Sequence, residues 1–177
     1  MKKLLALLIV LSSLSFAQDS IPSPWGIYGG ITSAGTNDSD GRTNGLSLGF
    51  SYALNDKLSL GAGLSHRGGT FDDTENGGSL DLNGNAIEFW SSYPLIQSES
   101  FSLSTGLMYT HIYEWEAKMD GFTISWTESD NDYGLFLNGS IPLQDNIGLS
   151  LGYYMGFREI GEDDKFNNLW IEVGYSF

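Results

Sequence analysis

The chain has 177 residues, room for one domain of ordinary size and not for two large ones. Its 22 Asp and Glu outweigh 8 Lys and Arg, and the resulting net charge of −14 excludes a nucleic-acid-binding face and a polybasic grip on anionic lipid. With no cysteine there is no disulfide framework, no thiolate metal site and no cysteine nucleophile.

The chain opens as a secretory signal peptide. Lys2 and Lys3 precede the apolar run Leu4 to Leu11, and small residues follow, with Ser15 and Ala17 at the cleavage positions. The run is far short of the ~20 residues that a membrane-spanning helix needs. Residues 1–17 are therefore expected to be removed on export. Residues 18–177 remain as one domain with a net charge of −16, since two lysines leave with the signal.

From Trp25 onward the hydrophobic period is two. Trp25 to Ser33 is a weak first strand. Gly45 to Leu54 sets Leu46, Leu48, Phe50, Tyr52 and Leu54 against Ser47, Gly49, Ser51 and Ala53. Leu58 to Arg67 repeats the pattern, and Ile87 to Leu95 is a fainter copy. Phe101 to Trp115, Tyr133 to Leu143, Ile147 to Phe157 and Leu169 to Phe177 complete eight strands, and no stretch reads as a helix.

The connections alternate in length. Asn55-Asp56-Lys57, Ile96 to Ser100 and Gln144-Asp145-Asn146 are short. Ala34 to Asn44, Gly68 to Ala86, Glu116 to Asp132 and Arg158 to Asn167 are long and polar, and 16 of the 22 acids lie on or beside them. Short turns at one end and long loops at the other are the pattern of a transmembrane, antiparallel, up-and-down barrel. The fold class is thus all-β, an eight-stranded barrel.

Alternation alone also fits a secreted, lipocalin-like soluble barrel. The polar face decides against it: that face is mostly Gly and Ser rather than the Lys, Glu and Thr of a water-facing strand. Small residues suit a narrow lumen, and the bulky set suits lipid. Trp25, Tyr52, Tyr93, Tyr113, Trp115 and Phe157 are placed to form aromatic girdles.

The segment Leu169-x-Ile171-x-Val173-x-Tyr175-x-Phe177 ends on an aromatic carboxyl-terminal residue. It resembles the terminal β-signal of bacterial outer-membrane proteins. With the eight strands and the loop asymmetry, the chain resembles the small eight-stranded OmpA/OmpX-type, porin-like barrels. That resemblance implies the outer membrane of a Gram-negative-type bacterium after Sec export. It also implies outer-membrane lipid and the barrel assembly machinery as partners, with Tyr175 and Phe177 as the assembly signal.

Candidate chemistry is sparse. Alternation turns Arg67, Glu88 and Glu172 inward, with Glu114 inward near the rim, and a lumenal polar network is expected from these four. Arg67 and Glu88 lie on consecutive strands and are expected to pair. Asp130-Asn131-Asp132 offers hard oxygen ligands, so Asp130 and Asp132 are weak calcium candidates outside any EF-hand frame. Asp120-Gly121 is a hairpin turn that makes Glu114 to Lys118 and Phe122 to Trp126 a ribbon, with Phe122, Ile124 and Trp126 along one face as a contact surface.

His66 and His111 fall on the outward register, and neither forms a catalytic constellation. Asp72-Asp73 with His111 is similar to the omptin protease pattern, but the chain is too short for that larger barrel. No catalytic residue and no cofactor is expected. The expected role is a monomeric, non-enzymatic barrel for envelope integrity, adhesion or another contact with an extracellular ligand. The alternative is a small channel for ions or apolar solutes.

Overall fold

The computed structural model describes residues 24–36, 42–73, 78–119, 122–126, 130–159 and 165–177. The signal segment lies outside them. The strands are β1 (Trp25–Thr36), β2 (Arg42–Asn55), β3 (Leu58–Asp73), β4 (Gly78–Gln97), β5 (Ser102–Met119), β6 (Phe122–Trp126), β7 (Asp130–Gln144), β8 (Ile147–Glu159) and β9 (Lys165–Ser176). Each barrel strand pairs antiparallel with its neighbours, and the β4–β5 and β1–β9 ladders close the sheet. The barrel has eight strands, β6 being an extra piece that pairs with β5. No helix occurs among the described residues.

The alternation sorts side chains as the sequence leads one to expect. Ile31, Leu46, Leu64, Leu107, Leu135, Leu151 and Ile171 lie exposed on the outer surface. So contiguous an apolar belt belongs in lipid. On β2 it runs from Leu46 to Leu54, about 26 Å of strand at ~3.3 Å per residue. A tilt of ~40° lays that across about 20 Å of membrane. Trp25, Tyr93, Tyr113 and Phe157 are exposed at its edges, and Tyr52 is half-buried against Trp25, ring to ring at 4.6 Å. The Trp115 side chain lies outside the described residues.

At the short-turn end, Asn55 Oδ1 accepts from the backbone N–H groups of Lys57 and Leu58 at 2.9 and 3.0 Å, which fixes the β2–β3 turn. The chain terminus is stitched into the same end. The Phe177 N–H donates to Trp25 O at 3.0 Å, and the rings of Tyr175 and Phe177 meet edge-on at 5.2 Å.

The long connections differ from expectation. Much of what reads as loop is ladder: β3 and β4 stay paired out to Asp73 and Gly78, and β5 runs to Met119. From Leu64, where the outer apolar positions of β3 end, to Asp73 is about 30 Å of strand at ~3.3 Å per residue. One wall of the barrel therefore stands well clear of the lipid belt. The ribbon forms as expected, with Met119 opposite Phe122 and Trp115 opposite Trp126 across the Asp120-Gly121 connection. The side chains of Phe122, Ile124 and Trp126 lie outside the described residues.

Candidate functional site

The lumen is where the inward side chains meet, and it divides into two halves. In the half toward the long connections, Arg67 and Glu88 form an ion pair through Nη2 and Oε1. Ser65 Oγ donates to the same carboxylate oxygen at 3.1 Å. Across the lumen the Tyr154 hydroxyl donates to Asp132 Oδ2 at 2.8 Å, and the Tyr133 N–H donates to Asp132 Oδ1 at 2.9 Å. Thr32 donates from its hydroxyl to Asn168 Oδ1. A channel wide enough for water would leave its lining accessible. Here Glu88 is 7% exposed, Arg67 and Asp132 6%, Thr110 1% and Tyr154 0%. The barrel is sealed at this level.

Beneath this layer a row of rings crosses the lumen. Tyr28 to Trp90, Trp90 to Phe136 and Phe136 to Trp170 have centroid separations of 6.2, 6.4 and 6.0 Å. Their polar edges are satisfied: Trp90 Nε1 donates to the Tyr28 oxygen at 3.1 Å and Trp170 Nε1 to Asn138 Oδ1 at 3.2 Å. The expectation of a lumen filled mostly by small residues is therefore incomplete. Large rings fit because each lies over a glycine of the next strand. A Cβ at Gly61 would collide with the Trp90 indole, and one at Gly152 with the Trp170 indole.

The half toward the short turns is open. Ser51, Ser92, Ser104 and Ser150 are half-buried along its wall, and a cavity of about 290 Å³ runs from the underside of the sealed layer, at Thr32, Glu88 and Asn168, past the rings to Gly26 and Ser176. Glu172 stands in this wall. Its Oε1 accepts from Ser47 Oγ at 2.8 Å, across the backbone of Gly30 on the intervening strand. A side chain at Gly30 would collide with Glu172.

Of the four acids and bases expected inside, three are there. Glu114 is not. A β-bulge between Asn85 and Ala86 on β4 faces an extra residue, Tyr113, on β5, and reverses the register beyond it. Glu114 is consequently exposed on the outer face, where its Oε2 accepts from Asn85 Nδ2 at 2.6 Å. His66 Nδ1 lies 2.8 Å from Asn85 Oδ1, so the three strands share one polar chain just above the lipid belt. His111 makes the equivalent contact with Asn131 Oδ1 at 2.7 Å.

Asp132, like Glu114, departs from the position expected of it. It belongs to β7 rather than to a loop, opposite Thr110, and both its oxygens accept hydrogen bonds inside the lumen. That arrangement does not fit a surface calcium ligand. The Asp130 side chain lies outside the described residues, and no group of three acids or histidines placed to hold a metal occurs among the described ones. On the projecting wall, Lys118 and Glu116 pair at 2.6 Å, and this contact holds the lysine ammonium above the usual lysine pKa range.

Among solved structures the fold is similar to Neisserial surface protein A (NspA), with a TM-score of 0.66 and 15% identity over 89% of this chain and 100% of that one. It is similar to Ail, the attachment invasion locus protein of Yersinia pestis, at 0.61 and 15%, over the same shares of the two chains. Ail has also been solved in complex with the heparin analogue sucrose octasulfate. OprG, an outer membrane protein of Pseudomonas aeruginosa, matches at 0.57 and 12%, over 88% and 97%. Comparison with curated protein sequences returned no match. The sequence matches the family of the outer membrane protein beta-barrel domain over residues 4–177, and with a closed eight-stranded barrel bearing a lipid belt, the chain belongs to that family.

Proposed function

We propose that the protein is a monomeric, non-enzymatic barrel of the Gram-negative outer membrane, sealed to solutes, that acts at the cell surface through its projecting wall and acidic connections. The sealed layer around Arg67, Glu88, Asp132 and Tyr154 carries this reading, because a conducting lumen would leave those groups accessible to water. In barrels of this kind short turns face the periplasm and long loops the exterior. The tall β3–β4–β5–β6 wall is therefore the part a cell-surface partner meets, with the β6 edge, Phe122, Ile124 and Trp126 on it, as the contact ribbon.

Charge narrows the partner. The acids gathered on the long connections repel polyanions, so a sulfated sugar such as the heparin analogue seen with Ail is disfavoured here and a cationic or apolar surface is favoured. Export by the Sec route after cleavage at Ala17, and recognition of Tyr175 and Phe177 by the barrel assembly machinery, complete the proposal. Both histidines are engaged with asparagines on the outer wall, in keeping with a protein that does no catalysis. No cofactor or calcium site is part of it. The test is single-channel recording of the refolded protein in planar bilayers. The expected trace shows no discrete conductance, and steady ion channels would refute the sealed barrel.

A further inference from the structure

The sealed layer leaves the short-turn half of the lumen as a blind vestibule. Its cavity of about 290 Å³ is at the lower end of the ~300–1,000 Å³ that small-molecule sites occupy. Its lining combines the Glu172 carboxylate, the Glu88 carboxylate that Arg67 already neutralises, the amides of Asn138 and Asn168, hydroxyls such as those of Ser51, Ser104 and Ser150, and the rings of Tyr28, Trp90 and Trp170.

The charges in the lumen do not balance locally. Glu88 has Arg67, and Asp132 has the Tyr154 hydroxyl and the Tyr133 N–H. Glu172 has the Ser47 hydroxyl, and no ion pair is made to it among the described residues. A carboxylate drawn into a low-dielectric wall is costly unless it takes up a proton or a counter-charge reaches it. Serine oxygens accept N–H hydrogen bonds, and aromatic faces attract a cation within ~6 Å of the ring centroid while packing against an alkyl chain.

We propose that this vestibule binds a small alkylammonium ion entering from the short-turn side. The ammonium group sits at Glu172, its remaining N–H groups donate to wall hydroxyls, and the alkyl part lies against Trp90 and Trp170. The site is separate from the projecting wall and does not require the cell-surface role.

The test is a titration of the protein refolded in bilayer nanodiscs with n-butylammonium chloride, followed by amide chemical shifts. n-Butanol controls for shape without charge, and sodium chloride for ionic strength. Saturable shifts confined to Glu172, Ser150 and Gly174 are expected with butylammonium alone. Glu172→Gln should weaken binding at least tenfold. Glu99→Gln, which removes the same charge from the exposed short turn, should leave it unchanged. Ser104→Leu fills the vestibule from β5 with Glu172 intact and should also abolish binding, so the proposal stays testable if Glu172→Gln fails to fold. Absence of saturable shifts, equal response to butanol, or wild-type binding by Glu172→Gln or Ser104→Leu would overturn it.

Discussion

The two halves of the lumen are built on the same eight strands with the same alternation, yet one is sealed and the other open. On β5 the difference is visible within one strand: inward Ser104 and Met108 line the vestibule, whereas inward Thr110 and Ile112 are buried and line none of it. The wall backbone is equivalent at both levels. What differs is the volume and hydrogen-bonding reach of the inward residues. Toward the long connections, Arg67, Glu88, Asp132 and Tyr154 span the gap and satisfy one another. Toward the short turns, serines and glycines end before they meet. A small barrel is thus closed by its side chains and not by its strand number.

The contrast makes its sharpest prediction at the ion pair. Arg67→Ala leaves Glu88 in a buried layer with the Ser65 hydroxyl as its remaining side-chain donor among the described residues, and breaking such a pair is expected to destabilise the barrel by ~3–5 kcal/mol. Urea unfolding in lipid vesicles measures this. The double replacement Arg67→Met with Glu88→Leu should recover most of the loss, because no charge is then left buried. If Arg67→Ala unfolds like wild type, the upper half is not held by its charges.

A smaller effect is expected at the ring layer dividing the halves. Gly152→Ala places a methyl group into the Trp170 indole, and such overpacking should cost ~1–3 kcal/mol. The same unfolding assay reads it, with Trp fluorescence reporting the displaced ring. An unchanged midpoint would mean that the indole does not lie over that glycine.

The barrel was largely legible in the sequence because its belt repeats the same two-residue signal on every strand. Leu46, Leu48 and Phe50 report their face without any knowledge of the neighbours. The Arg67–Glu88 pair was also legible, since consecutive antiparallel strands bring inward residues together. Three features were not. The bulge at Tyr113 adds one residue without changing composition, so Glu114 reads as inward when it is outward. The ladder beyond Leu64 carries Phe71, Leu80 and Leu82 among mostly polar and small residues, too few for a sustained apolar alternation, and so it reads as loop. The interior rings depend on glycines of other strands, as Tyr28 of β1 does on Gly49 of β2 and Gly63 of β3. That relation exists only once the sheet has closed.

The absence of cysteine allows the two halves to be compared directly by single-cysteine labelling. Ser104→Cys and Thr110→Cys place a thiol on the same inward face of β5, six residues apart. Each would be exposed to a membrane-impermeant maleimide from either side of oriented proteoliposomes. The sealed-upper, open-lower lumen predicts that Ser104→Cys is labelled from the short-turn side alone and that Thr110→Cys is labelled from neither. Labelling of Thr110→Cys, or of Ser104→Cys from the long-strand side, would contradict it.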